Sequence, residues 1–159
     1  MMKDYLEIFK FITDGGLKKA PQGIRDFVTA EIECEFDGFH RDYIEFSKQY
    51  CDLFLGNEDA SIPNHGDVFF SFYPVEDSFW FDDPFKNGFF YFAASQENVE
   101  GENVEISFYL NLSRSRVDGV YIAKAEEVGE SEYKLVSKTF LEFLDSAIQK
   151  KGKFYAVAC

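Results

Sequence analysis

Apolar residues recur along the chain with two periods, and each period predicts a different kind of element. Met2, Tyr5, Leu6, Phe9 and Ile12 fall three to four residues apart, and Asp14-Gly15-Gly16 follows them. This predicts a short amphipathic helix, ended where glycine accepts the left-handed conformation. From Ala30 the pattern alternates, with Ala30, Ile32, Cys34 and Phe36 on one side and Glu31, Glu33, Glu35 and Asp37 on the other. A strand with one acidic face accounts for it; a helix also fits, because alanine and glutamate favour helices in so short a run. Asp42 is placed to cap a following helix with Tyr43, Phe46, Tyr50 and Phe54 along one face. Gly56-Asn57 and Pro63-Asn64 then punctuate a loop.

Three aromatic and β-branched runs come next: Val68 to Tyr73, Phe89 to Phe92, and Val104 to Leu112. The last alternates cleanly, with Val104, Ile106, Phe108, Leu110 and Leu112 facing one way and Glu105, Ser107, Tyr109 and Asn111 the other. These predict strands of one sheet, joined by turns at Asn87-Gly88 and Glu100-Gly101. Asp118-Gly119 with Val120-Tyr121-Ile122 adds one more strand. Ser137 is placed to cap a final helix whose buried stripe is Phe140, Leu141, Leu144 and Ile148, and Lys150, Lys151 and Lys153 complement the negative end of its dipole. The tail Phe154-Tyr155-Ala156-Val157 is apolar enough to add a strand or to dock on the body. The order is α+β. No repeat, low-complexity tract or linker suggests a boundary, so residues 1–159 read as a single domain.

Composition agrees with a packed fold. A chain of 159 residues can bury roughly two thirds of its unfolded surface. It is 46% hydrophobic and carries 20 Phe, so an aromatic-rich core is expected despite the charge. Lys3, Asp4, Glu7 and Lys10 interrupt the first apolar stretch, and no run reaches the roughly 18 apolar residues of a membrane helix. Cys34, Cys51 and Cys159 form neither an even disulfide framework nor a close metal pair. A soluble, cytoplasmic protein with reduced thiols is the expectation.

Charge narrows the partner. The net charge is −13, and residues 41–100 hold 12 acidic side chains against only Arg41, Lys48 and Lys86, while residues 101–159 hold 9 acids and 8 bases. Such a field repels phosphate backbones and anionic membranes and draws in a basic protein surface, so no nucleic acid and no membrane partner is expected. The bland reading is an acidic surface that serves only solubility.

Catalytic and metal chemistry find little support. His40 and His65 are the only imidazoles, and no nucleophile elbow accompanies them; they read as ordinary surface histidines beside core thiols. His65-Gly66-Asp67 and Asp82-Asp83 lack ligand spacing, so no metal, cofactor or catalytic residue is expected. With 29 acids, chance alone brings some carboxylate pair together, which leaves a carboxylate hydrolase as the weakest alternative. Trp80 is more informative. It sits in Ser78-Phe79-Trp80-Phe81-Asp82-Asp83-Pro84-Phe85, an aromatic anchor with an acidic rim, of the kind that dominates interface energies, although such rings also fill a core under a loop. The expected partner-binding residues are Glu58, Asp59, Asp67, Glu76, Asp77, Trp80, Asp82 and Asp83.

Several segments together resemble a known family. Phe39-His40-Arg41-Asp42-Tyr43-Ile44-Glu45-Phe46-Ser47-Lys48-Gln49-Tyr50 looks like the early helix of the SUKH superfamily of yeast cell-wall regulators and bacterial immunity proteins. Phe89 to Ser95, Phe108 to Leu112 and Gly119-Val120-Tyr121 are similar to its successive strands, and Val136 to Leu144 to its closing helix. The resemblance spans about residues 39–149 and leaves 1–38 as an N-terminal extension; Phe39-His40 stands where the family has Leu-Pro. It implies a SUKH-like fold, helices packed against a mostly antiparallel sheet. It also implies a non-enzymatic immunity protein that neutralises a cognate, basic, nuclease-type toxin domain. A structural or regulatory interaction module without a toxin partner is the alternative.

Overall fold

A computed structural model describes residues 17–56, 68–72, 88–124 and 133–158. The first predicted helix, at residues 2–12, lies outside the described residues. The fold is α+β: seven strands form an antiparallel sheet in simple sequence order, with helices packed against it. Strand β1 is Leu17–Lys19, β2 Tyr50–Gly56, β3 Val68–Phe72, β4 Phe89–Val99, β5 Glu102–Asn111, β6 Val120–Lys124 and β7 Lys134–Ser137. The helices are α1 (Gln22–Phe27), α2 (Glu33–Phe36), α3 (Arg41–Gln49), α4 (Phe140–Gln149) and α5 (Tyr155–Ala158). A π-helical stretch, Val28–Ile32, joins α1 to α2. Among the described residues no helix is long and apolar enough to cross a membrane.

The segment from Ala30, for which a strand is one expectation, is helical as far as Phe36, and Asp37 ends it in the left-handed conformation. Only Ile32 and Phe36 of its supposed inward side are buried, whereas Ala30 and Cys34 are exposed. The working pattern is every fourth residue: Ile24, Val28, Ile32 and Phe36 all enter the core. A strict four-residue repeat drifts by about 40° per step on ordinary helical turns, and the wider π turn takes up part of that drift. The next helix also differs from expectation. It stops at Gln49, and Tyr50 and Phe54 belong to β2. Asp42 lies inside its first turn, behind His40 at the cap position.

The β4–β5 hairpin is the long axis of the sheet. Its two-residue turn is Glu100-Gly101, with φ of 53° and 86°, the positive pair a type I′ turn requires. Phe90, Phe92 and Ala93 of β4, Ile106, Phe108 and Leu110 of β5, Phe70 and Phe72 of β3, and Val120 and Ile122 of β6 face the helices. A bulge between Tyr91 and Ala93 lets the adjacent Phe92 and Ala93 both point inward. Rings of α3 and α4 interlock with each other, Tyr43 and Phe46 each 5.1 Å from Phe140, and with the strands, Phe143 5.2 Å from Phe108 and Tyr43 5.7 Å from Phe92.

Helix α4 is capped by Thr139, whose hydroxyl accepts from the Glu142 N–H at 3.1 Å; Ser137, the expected cap, is the last residue of β7. Asp42 reaches across from α3 and accepts from the Leu141 N–H at 3.0 Å, so a second end donor of α4 is satisfied from another helix. After α4, Lys151 and Gly152 turn the chain with positive φ and drive Phe154 fully into the core. The tail therefore docks as the helical turn α5. Residues 20–36, left out of the family resemblance, supply five side chains to the same core: Ala20, Ile24, Val28, Ile32 and Phe36.

Candidate functional site

All eight residues expected at the interface, Glu58, Asp59, Asp67, Glu76, Asp77, Trp80, Asp82 and Asp83, lie outside the described residues. The described residues that flank them stand at opposite ends of β3. Gly56 and Val68 bracket the first three at the end near Glu97, while Phe72 and Gly88 bracket the other five towards the start of β4.

Within the described residues acidity gathers in two places. The helical segment exposes Asp26, Glu31, Glu33, Glu35 and Asp37, and α3 adds Glu45. Lys48 is already shared between Glu33 and Glu45, at 3.3 and 3.9 Å, and Arg114 pairs with Asp37 at 3.0 Å. The second place is the hairpin tip, with Glu100 and Glu102 exposed and Glu97 accepting from the Tyr155 N–H. The β4–β5 ladder separates the tip from Phe89 and Asn111 by about 30 Å.

A polar network closes the other end of that ladder. Asn111 is fully buried; its Oδ1 accepts from the Ser113 N–H at 3.0 Å and Arg116 at 2.9 Å, and its Nδ2 donates to the Ser113 carbonyl. Arg116 also donates to the Gly88 carbonyl and lies 3.9 Å over the Phe89 ring. His40, expected at the surface, has only 2% of its side chain exposed. Its φ of 49° aims the ring into this network, where Nε2 donates to the Asn111 carbonyl at 2.7 Å and lies 3.5 Å from Asp118. The network fastens the β5–β6 connection to the turn before α3. An imidazole nitrogen whose proton is held by a carbonyl is not placed to take a proton from a substrate.

Cys34, expected as a core thiol, is exposed and its sulfur turns to the Glu31 carbonyl. Among the described residues no group of three His, Cys, Asp or Glu side chains could hold a metal.

The sheet face opposite the helices carries an aromatic ridge. Phe89 stacks on Tyr133 at 4.4 Å and meets Tyr121 at 5.3 Å; Tyr109 meets Tyr133 at 5.1 Å and Tyr91 at 5.2 Å. Burial, with Tyr133 close by, pushes the Tyr109 phenol up to about 12, and burial raises Tyr121 and Tyr133 from their ordinary value. These phenols stay neutral in the physiological range. Sequence reading passed over this ridge and the Asn111 network. One signal was visible: between Lys86 and Lys124 the only cations are Arg114 and Arg116.

Compared with models of known protein families, with curated proteins and with solved structures, the chain matches none.

Proposed function

We propose that this protein is a non-enzymatic immunity protein, which binds and neutralises a cognate basic, nuclease-type toxin domain through an acidic surface that contains aromatic side chains. The observation that carries the reading is the unbalanced acidity: a net charge of −13, with exposed carboxylates on α1, α2, α3 and the hairpin tip and few cations among them. Such a field raises the encounter rate with a basic domain and repels nucleic acid. The α+β architecture and the resemblance of residues 39–149 to the SUKH superfamily favour the same reading.

The test is association with a purified basic, nuclease-type toxin domain, taken from a neighbouring reading frame where one encodes it, followed at rising salt. Replacing Asp77, Asp82 and Asp83 together by Asn slows association by about tenfold and flattens its salt dependence. The matching triple change of Glu31, Glu33 and Glu35 to Gln leaves a smaller effect, because these acids lie outside the expected contact. Equal kinetics for the parent and the triple-Asn variant would sink this placement of the interface, and a toxin whose activity is untouched by the parent protein would sink the function.

A further inference from the structure

Residues 150–158 cross the inner face of the sheet as a strap. Phe70, Ser95, Ile106 and Lys124 pair in turn across β3, β4, β5 and β6, so their side chains form one row on the face that meets the helices. The strap touches this row at both ends. Gly152 lies against Phe70, which a Cβ there would approach to 2.7 Å, and the Tyr155 ring lies 5.3 Å from the Lys124 ammonium. Between them Phe154 is set 5.0 Å from Phe108 and 5.5 Å from Phe143, and the Tyr155 N–H donates to Glu97, two residues beyond Ser95 on β4. Lys134 fastens the far end by donating to the Ala158 carbonyl at 3.1 Å. Ser95 thus lies beneath the strap.

Two features of this closure cost free energy. Ser95 is 1% exposed, and among the described residues its hydroxyl is the buried side-chain group without a hydrogen-bond partner. A hydroxyl in that state has given up water and gained nothing in return. At the root of the strap, Lys151 turns the chain with φ of 55°, a left-handed conformation that favours glycine, and Gly152 continues the turn with φ of 78°. Both costs vanish if the strap swings out about these two residues while α4 and the sheet stay in place: water reaches Ser95, and Lys151 returns to an ordinary backbone conformation. Burial of the Phe154 ring opposes the motion. We propose that residues 150–158 are a conformational gate, which opens by local unfolding about Lys151 and Gly152. Opening uncovers a trough floored by Phe70, Ile106 and Phe108, with the Ser95 hydroxyl and the Glu97 carboxylate as its polar groups. The gate is separate from the acidic surface proposed to meet a basic toxin, and either can fail without the other.

The test is amide hydrogen exchange on the full chain at several low denaturant concentrations, comparing Tyr155 with Phe143 and Leu144 of α4. Tyr155 is expected to exchange at least about tenfold faster than the α4 amides, at a rate that hardly changes with denaturant, because local opening exposes little surface. Two variants connect the opening to its causes. Ser95→Ala removes the unpartnered hydroxyl and Lys151→Gly removes the left-handed strain, so each slows exchange at Tyr155 by about fivefold. Simple fraying of a chain end would respond to neither change. A Tyr155 rate that matches α4 in size and in denaturant dependence would mean that the strap leaves only on global unfolding, and that result in the unaltered protein overturns the proposal. Exchange at Tyr155 as fast as the parent's in either variant would overturn it too.

Discussion

Asp42 shows how one carboxylate can join two helices. Its Oδ1 accepts from the Tyr43 N–H at 2.9 Å and its Oδ2 from the Leu141 N–H at 3.0 Å, so the first turns of α3 and α4 share an acceptor. Both are helix-end donors with no intrahelical partner, and a negative charge there also meets the positive ends of two helix dipoles. Asp42→Ala is expected to cost about 1 to 2 kcal/mol, measured as a lower denaturant midpoint with an unchanged slope. A midpoint equal to the parent's would mean that water replaces the carboxylate without loss. The sequence marked Asp42 as the cap of this helix; His40 holds the cap position instead, and Asp42 accepts a first-turn N–H from inside the helix. Its second bond, 99 residues away in sequence, depends on how α3 and α4 pack. His40 is the opposite case. Nothing in its neighbours marks it as buried, and only the left-handed turn before α3 carries it under the β5–β6 connection.

Between Ala30 and Phe36 the choice of element turns on burial. Alternation and a four-residue repeat share Ile32 and Phe36, so both patterns fit that short stretch. Extending the window back to Ile24 and Val28 separates them, because those residues continue the fourfold repeat and bury with it. The distinction can be measured. Ile32→Ala should destabilise the fold by roughly 2 to 5 kcal/mol, whereas Cys34→Ala should change stability by less than about 0.5 kcal/mol. Comparable losses at both positions would restore the strand. At α3 and β2 the difficulty is reversed. The aromatic spacing runs on through Tyr50 and Phe54, yet Tyr50 adopts φ of −135° and ψ of 136° and starts a strand that pairs with β1 and β3. Backbone pairing with neighbouring strands outweighs a helical repeat carried by two more rings.

At the scale of the whole molecule, burial of phenols makes stability sensitive to alkaline pH. Burial raises Tyr43 above its ordinary 10, and Tyr109 is pushed up to about 12. The unfolded chain releases these protons near 10 while the folded chain still holds them, so the unfolded state binds fewer protons above that point. Their contribution is complete below pH 10 and is lost as pH rises towards 12. Equilibrium unfolding followed across this range should show a decline that is shallower in Tyr109→Phe; an identical slope in that variant would remove Tyr109 from the account. The sequence by itself determined the α+β order, strands begun at Val68, Phe89, Val104 and Val120, the turn at Glu100-Gly101, the closing helix and the acidity, because periodicity, turn chemistry and charge are properties of neighbouring residues. Tertiary structure alone decided that β1 to β7 lie in sequence order, that Phe154 plugs the core, and that His40 and Asn111 join one network. Each of these depends on contacts between residues far apart in the chain, where packing and burial set the outcome.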